Sequence, residues 1–209
     1  TSRAVDINKE QRPLSLSSDI YNGDAIQTEG DGAVHLQMND GARMYVRSNS
    51  RVVIDDYSFF ENSPKSSRSI ITLLKGGFRA ITGLIGRHNP ASLRVNTTVA
   101  TIGVRGTDFA LRLCAPGECV LDDGGEFAAG EYSGVLGGEI TISNNAGTTP
   151  VTRGEVMRTT SADSAPEPAP EAAALIFTEA ELALLNIQEE EPLGFFQWLR
   201  LRLFGGDDS

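Results

Sequence analysis

The stretch Thr98-Val99-Ala100-Thr101-Ile102-Gly103-Val104-Arg105-Gly106-Thr107-Asp108-Phe109-Ala110 constrains the fold more than any other part of this 209-residue chain. Its β-branched and apolar residues read as a strand, yet two glycines interrupt it and frame one arginine. A glycine isolated inside a strand pattern marks a bulge or a close approach of another backbone. This segment is therefore expected to thread the middle of a compact β-structure.

Alternation extends the strand reading over the first 160 residues. Val34, Leu36 and Met38 alternate with His35 and Gln37, Asn39-Asp40-Gly41 makes a tight turn, and Ala42, Met44 and Val46 alternate with Arg43, Tyr45 and Arg47. That is a hairpin with one apolar and one polar face. The same period runs through Val52 and Ile54, Ile71 and Leu73, Phe78 and Ala80, Leu93 and Val95, Phe109, Leu111 and Leu113, then Ile140 and Ile142. Short strands spaced by Gly, Asn, Asp and Pro predict an all-β fold: a barrel, a sandwich or a coiled β-stack. Phe59 to Arg68 and Asp122 to Gly130 read as loops.

The opening segment also resembles the signature of the FecR family, A-T-I-G-V-R-G-T-x-F, carried here by Ala100, Thr101, Ile102, Gly103, Val104, Arg105, Gly106, Thr107 and Phe109. Asp24 to Leu36, followed by Asp40-Gly41-Ala42, is similar to the family's opening element, with Ala42 in place of its serine. Ser50 to Asp55, and Leu73 to Gly83 with the Gly77-Phe78-Arg79 and Thr82-Gly83 groups, follow in the family's order, so the resemblance covers about residues 19 to 158. It implies an extracytoplasmic all-β module, best known as the periplasmic part of regulators that pass an outer-membrane signal to a sigma factor. The implied partner is a protein of the envelope. The cytoplasmic helical part and membrane span of such regulators have no counterpart in this sequence.

Charge is unevenly distributed. Of the net −10, residues 161 to 209 hold −8 and the remainder only −2. No basic stripe exists to neutralise phosphates, which argues against nucleic acid and against anionic membrane surfaces. No run approaches the roughly 18 apolar residues of a membrane span. The sequence opens at Thr1 without a signal-peptide pattern, so the expectation is a mature periplasmic or extracellular product after removal of a signal peptide.

Cys114 and Cys119 bracket Ala115-Pro116-Gly117-Glu118, in which Pro-Gly suits the centre of a type II turn. A disulfide across it is the leading reading; it stabilises by about 2 kcal/mol in the chain-entropy model and implies an oxidising compartment. Two free thiols on adjacent strands are the plainer alternative. Zinc is the remote one, since His35 and His88, the other good ligands, lie in unrelated segments.

Other suggestive residues carry little chemistry. Arg105 reads as a structural charge paired with Asp108 or Asp55, ahead of a contact to an anionic ligand or partner. Asp122-Asp123-Gly124-Gly125-Glu126 lacks the EF-hand spacing and reads as a solvated acidic loop. No G-x-S-x-G, H-E-x-x-H or phosphate-cradling glycine loop occurs, so neither catalysis nor a cofactor is expected.

Composition shifts after the β-domain of residues 1–160. Residues 161–177, rich in Ala, Pro and Glu, read as an extended linker of partly polyproline character. In 178–209, Thr178-Glu179-Ala180-Glu181 is a capping box opening a short helix with Leu182, Leu185 and Ile187 on one side, closed by Glu189-Glu190-Glu191-Pro192. The densest apolar run follows, with Phe195, Phe196, Trp198, Leu199, Leu201, Leu203 and Phe204 as candidate docking residues. As a helix it groups Phe195, Trp198, Leu199 and Arg202; as a strand it sets Leu199, Leu201 and Leu203 against Arg200, Arg202 and Phe204. Such a segment needs cover. It can fold back over an edge of its own domain or dock on another protein, a neighbouring copy included; insertion into lipid is the least supported reading.

The functional expectation is a non-catalytic module for protein contact and signal sensing. The alternative is a structural subunit of an envelope or extracellular homopolymer joined by its C-terminal tail.

Overall fold

A computed structural model describes residues 1–121, 124–178 and 198–200. An N-terminal hairpin, β1 (Ser2–Val5) and β2 (Gln11–Pro13), precedes β3 (Ala25–Thr28). The expected hairpin follows as β4 (Val34–Gln37) and β5 (Arg43–Val46), with Val34 opposite Val46 and Leu36 opposite Met44. Next come β6 (Arg51–Ser58), β7 (Arg68–Lys75), β8 (Gly77–Ile81), a one-turn helix α1 (Leu84–His88) and β9 (Leu93–Asn96). The longest strands are β10 (Thr101–Cys114) and β11 (Gly130–Asn144), followed by β12 (Gly147–Thr152), β13 (Val156–Thr159), β14 (Glu167–Pro168), the short helix α2 (Ala173–Ile176) and β15 (Trp198–Arg200).

Among the described residues, all fifteen strands join in one sheet, ordered β15-β4-β5-β8-β10-β9-β7-β6-β3-β1-β2, with β11 to β14 branching from β10. The fold is all-β, as the alternation predicts. β10 holds it together because it belongs to two wings. Its first residues, Thr101 to Gly103, pair with β9, whereas Asp108 to Arg112 pair with β8. The register to β11 shifts between Arg105 and Asp108, and Gly106 there has a φ of +58°, in the left-handed region that favours glycine. The facing Gly138 lets the strands meet at this corner, since a Cβ on it would strike the Gly106 carbonyl. Both features that sequence glycines advertise, a bulge and a close approach, occur at this corner.

The two wings share one core. Leu36, Met44, Phe78 and Phe109 from one wing join Ile26, Ile54, Leu73 and Ile102 from the other. Burying one such side chain contributes about 1.5–3 kcal/mol.

Residues 161–177 differ from the solvated linker expected of them. β14 pairs with β13, and Ala169, Ala172, Leu175 and Ile176 are buried in a second cluster with Ala110, Cys114, Cys119, Tyr132 and Val156. Gly134 of β11 permits this contact, because a Cβ there would meet Ile176 and Phe177. Buried Arg47 fastens the segment by donating from Nη1 to the Leu175 carbonyl at 2.8 Å and from Nη2 to that of Ile176. A composition of Ala, Pro and Glu hides four buried alanine, leucine and isoleucine side chains that suffice to cover a strand face. No helix among the described residues is long and apolar enough to cross a membrane.

Candidate interaction surface

The signature residues divide by face. Ile102, Val104 and Phe109 enter the core. Thr107 is buried and bonded on both sides, donating from its hydroxyl to the Glu139 carbonyl (2.7 Å) and from its N–H to the Thr82 hydroxyl oxygen (2.8 Å). Thr101 and Gly103 are half-buried, and Arg105 and Gly106 face solvent.

Arg105 therefore does not play the structural role expected of it. Asp108 is taken by Arg79, which donates from Nε to Oδ1 (2.9 Å) and from Nη2 to Oδ2 (2.7 Å). Asp55 accepts from the Thr72 hydroxyl at 2.7 Å. Arg79 is 1 % exposed and, like Arg47, is held inside this β-body. Its signal in the sequence is its position between Phe78 and Ala80, where a charge interrupts an apolar run.

A second buried polar centre sits in the β4–β5 turn. Asp40 Oδ1 accepts from the Tyr57 hydroxyl (3.0 Å) and the Ala42 N–H (3.2 Å), while Oδ2 accepts from the Ile85 N–H (3.1 Å). The Asp-Gly turn thus also ties α1 and β6 to the hairpin. Burial, with the Asp40 charge second, pushes the Tyr57 phenol far above its ordinary range, so it stays a neutral donor.

The structure pairs Cys114 with Cys119 at disulfide distance, Cα atoms 5.5 Å apart, across a turn closed by the Glu118 N–H to the Ala115 carbonyl (3.0 Å). Gly117 takes a φ of +75°, as a type II turn requires. The Arg112 Nε lies 3.3 Å from Cys119 Sγ.

The other end of the sheet carries the tail. Trp198–Arg200 runs parallel to β4, with Trp198 opposite His35, Leu199 opposite Leu36 and Arg200 opposite Gln37. Of the two conformations open to this segment, these residues take the strand. Phe195, Phe196, Leu201, Leu203, Phe204 and the helix expected from Thr178 onward lie outside the described residues, apart from Thr178 itself, as do Asp122 and Asp123 of the acidic loop. His35 is buried under this edge, edge-on to Tyr45 with ring centroids 6.0 Å apart. Burial first, then the Arg43 charge, lowers its pKa to about 4, so it is neutral at physiological pH. Among the described residues, no cluster of three or more His, Cys, Asp or Glu side chains gathers as metal ligands would.

Residues 24–118 match the model of the FecR family, described as FecR protein. The match spans less than half of the 209-residue chain. It begins at Asp24, just before β3, and ends at Glu118 in the disulfide turn, so it contains the signature strand, the Asp40 turn and the Arg79–Asp108 pair. The FecR match is narrower than the resemblance read from the residues; β1, β2 and everything from β11 onward lie outside it. No curated protein matches the chain. Two crystal structures, at 1.65 and 2.50 Å, of a Parabacteroides distasonis protein assigned as an anti-sigma factor match with a TM-score of 0.49 and 11% identity. Each match covers 69% of this chain and 58% of that one.

Proposed function

We propose that this chain is a non-catalytic extracytoplasmic module that relays a signal by protein contact, and that the β4 edge is where it touches its partner. One observation carries the reading: a three-residue strand from the far C-terminus occupies that edge in parallel. An edge strand offers a row of unpaired backbone groups, and adding an extended segment is a common mode of peptide recognition. In this reading Trp198–Arg200 caps the edge until a partner's strand replaces it. The FecR match supports a regulatory role, since that family's proteins are regulators rather than enzymes. The Cys114–Cys119 pair supports an oxidising compartment such as the periplasm.

A photo-crosslinking residue at Gln37 tests the docking edge in cells of the source organism. Recovery of one specific non-self envelope protein, increased when the chain is ended at residue 178, is the expected result. No adduct beyond the chain's own tail would remove the docking reading.

The homopolymer alternative keeps a specific foothold. The 19 residues 179–197 separate the body from β15. Fully extended, they reach at most about 65 Å, enough to seat β15 on a neighbouring copy. Cysteines at Gln37 and Arg200, joined by a short bis-maleimide, separate the two. A crosslinked monomer on denaturing gels supports capping in cis; crosslinked dimers and ladders support assembly through the tail.

A further inference from the structure

The outer face of the signature strand holds a groove that the docking edge does not use. β9, the first half of β10 and the second half of β11 lie side by side there. Gly103 stands opposite Arg94 on one side and Thr141 on the other, and Arg105 stands opposite Glu139. Together with Thr101 these residues line an open hollow of about 550 Å³, within the size range of small-ligand clefts.

Three features make the hollow specific. Gly103 has no side chain, so the middle of the row is empty; a Cβ there would come within 2.6 Å of the Thr141 hydroxyl oxygen, which leans over it. Arg94 is oriented by its own backbone, donating from Nε to the Ala91 carbonyl at 3.2 Å, which leaves its terminal nitrogens for the groove. Neither Arg94 nor Arg105 has a carboxylate within ion-pair distance among the described residues, and both are exposed. From strand spacing and rise, their Cα atoms lie about 8 Å apart. That is close enough for both guanidinium forks to reach one oxyanion held above Gly103.

We infer that this groove binds a carboxylate group of a small ligand, with Arg94 and Arg105 as its cationic clamp and the Thr141 hydroxyl as a third donor. A planar carboxylate matches the guanidinium fork in two parallel hydrogen bonds. Glu139 beside Arg105 sets the charge limit. It repels a dianion such as phosphate and leaves room for a single negative charge. The chemistry fits the free carboxyl end of a peptide or an acidic sugar.

The test uses ¹⁵N-labelled full-length chain titrated with tri-alanine, tri-alanine amide, glucuronate and inorganic phosphate. Saturable shifts of the Arg94, Gly103, Arg105 and Thr141 amides are expected with at least one of the two carboxylates. Whichever carboxylate binds more tightly distinguishes the peptide source from the sugar source. Tri-alanine amide should leave the spectrum unchanged, and phosphate should bind at least tenfold more weakly than the better carboxylate. Arg94→Ala combined with Arg105→Ala should abolish the shifts, with resonances of the core unmoved because both positions are exposed. Arg105→Lys should retain binding weakened several-fold, since it keeps the charge and loses the fork. Absence of shifts with both carboxylates, shifts that survive the double substitution, or phosphate binding as tightly as carboxylate would each overturn the assignment.

Discussion

The two halves of β10 are one continuous strand in two environments. From Asp108 to Cys114 it is covered on both faces: Phe109 and Leu111 enter the main core, while Ala110 and Cys114 lie under α2 and the residues around it. From Thr101 to Arg105 only one face is covered, by way of Ile102 and Val104, and the other lies open over Gly103. The same chemistry therefore has opposite consequences at the two ends. An arginine against the covered half, Arg79, requires a carboxylate partner. An arginine on the open half, Arg105, does without one and remains available to a ligand.

The sharpest way to break this contrast is to remove the partner. Asp108→Ala leaves the Arg79 guanidinium, 1 % exposed, as an uncompensated buried charge. Loss of one member of a buried pair costs about 3–5 kcal/mol, and the 22 % exposure of Asp108 places this case toward the lower figure. Arg105→Ala should stay within about 0.5 kcal/mol of the parent, as surface changes do. Urea midpoints measured in parallel check both; comparable losses at the two positions would erase the distinction between the halves.

Glycine substitutions give a smaller version of the same contrast. Gly134 lies under Ile176 and Phe177, so Gly134→Ala should lift α2 off the sheet and cost about 1–3 kcal/mol, as overpacking does. Amide exchange should rise across residues 161–177 while the main core stays protected. Gly103→Ala meets only the movable Thr141 hydroxyl and should cost less than about 1 kcal/mol. Unchanged protection of 161–177 in Gly134→Ala would mean that this segment is not held by its contact with β11.

Much of this was legible in the sequence, and what was not has identifiable causes. Period-2 alternation placed Val34 to Val46 in the right hairpin because one face of it is buried and the other is not. The paired glycines around Arg105 announced the corner in β10. Arg105 departs from the structural role expected of it because flanking glycines look like a buried site in sequence although the residue is exposed. Gly106 serves the backbone at the bulge and Gly103 sits in regular register opposite Thr141, while the side chain between them points outward. The Arg79 pairing is not legible in sequence because its partner, 29 residues away, is brought to it only by the β8–β10 register. Residues 161–177 looked like a spacer because prolines and alanines dominate them. Leu175 and Ile176 find cover only after β11 and β13 have paired. The open groove was invisible for the same reason: Arg94, Gly103 and Thr141 become neighbours through registry alone.

The mildest expected effect sets the two carboxylates of β11 against each other. Glu139 is exposed beside the groove, whereas Glu131 is 1 % exposed beside the covered half, accepting hydrogen bonds from the hydroxyls of Thr97 and Ser133 (3.0 Å for the latter). Burial raises the Glu131 pKa above its ordinary 4.5, and the two hydroxyl bonds only partly offset this. Between 4.5 and the raised value the folded chain binds more protons than the unfolded one, so stability falls as pH rises through that window, and the loss is complete above it. Glu131→Gln removes the charge and keeps both hydroxyl contacts, because a hydroxyl can accept from the amide as readily as it donates to a carboxylate. The variant should therefore unfold at higher urea than the parent at pH 8, and the two curves should meet below pH 4.5. His35 does not disturb the difference. Its contribution, present above pH 6.5 and lost as pH falls through about 4, acts on both chains alike. Glu139→Gln, at an exposed position, should stay within about 0.5 kcal/mol of the parent at pH 8. A Glu131→Gln curve parallel to the parent from pH 4 to 8 would show that this carboxyl is solvated in the folded chain, and the covered half of β10 would then be less closed than its packing indicates.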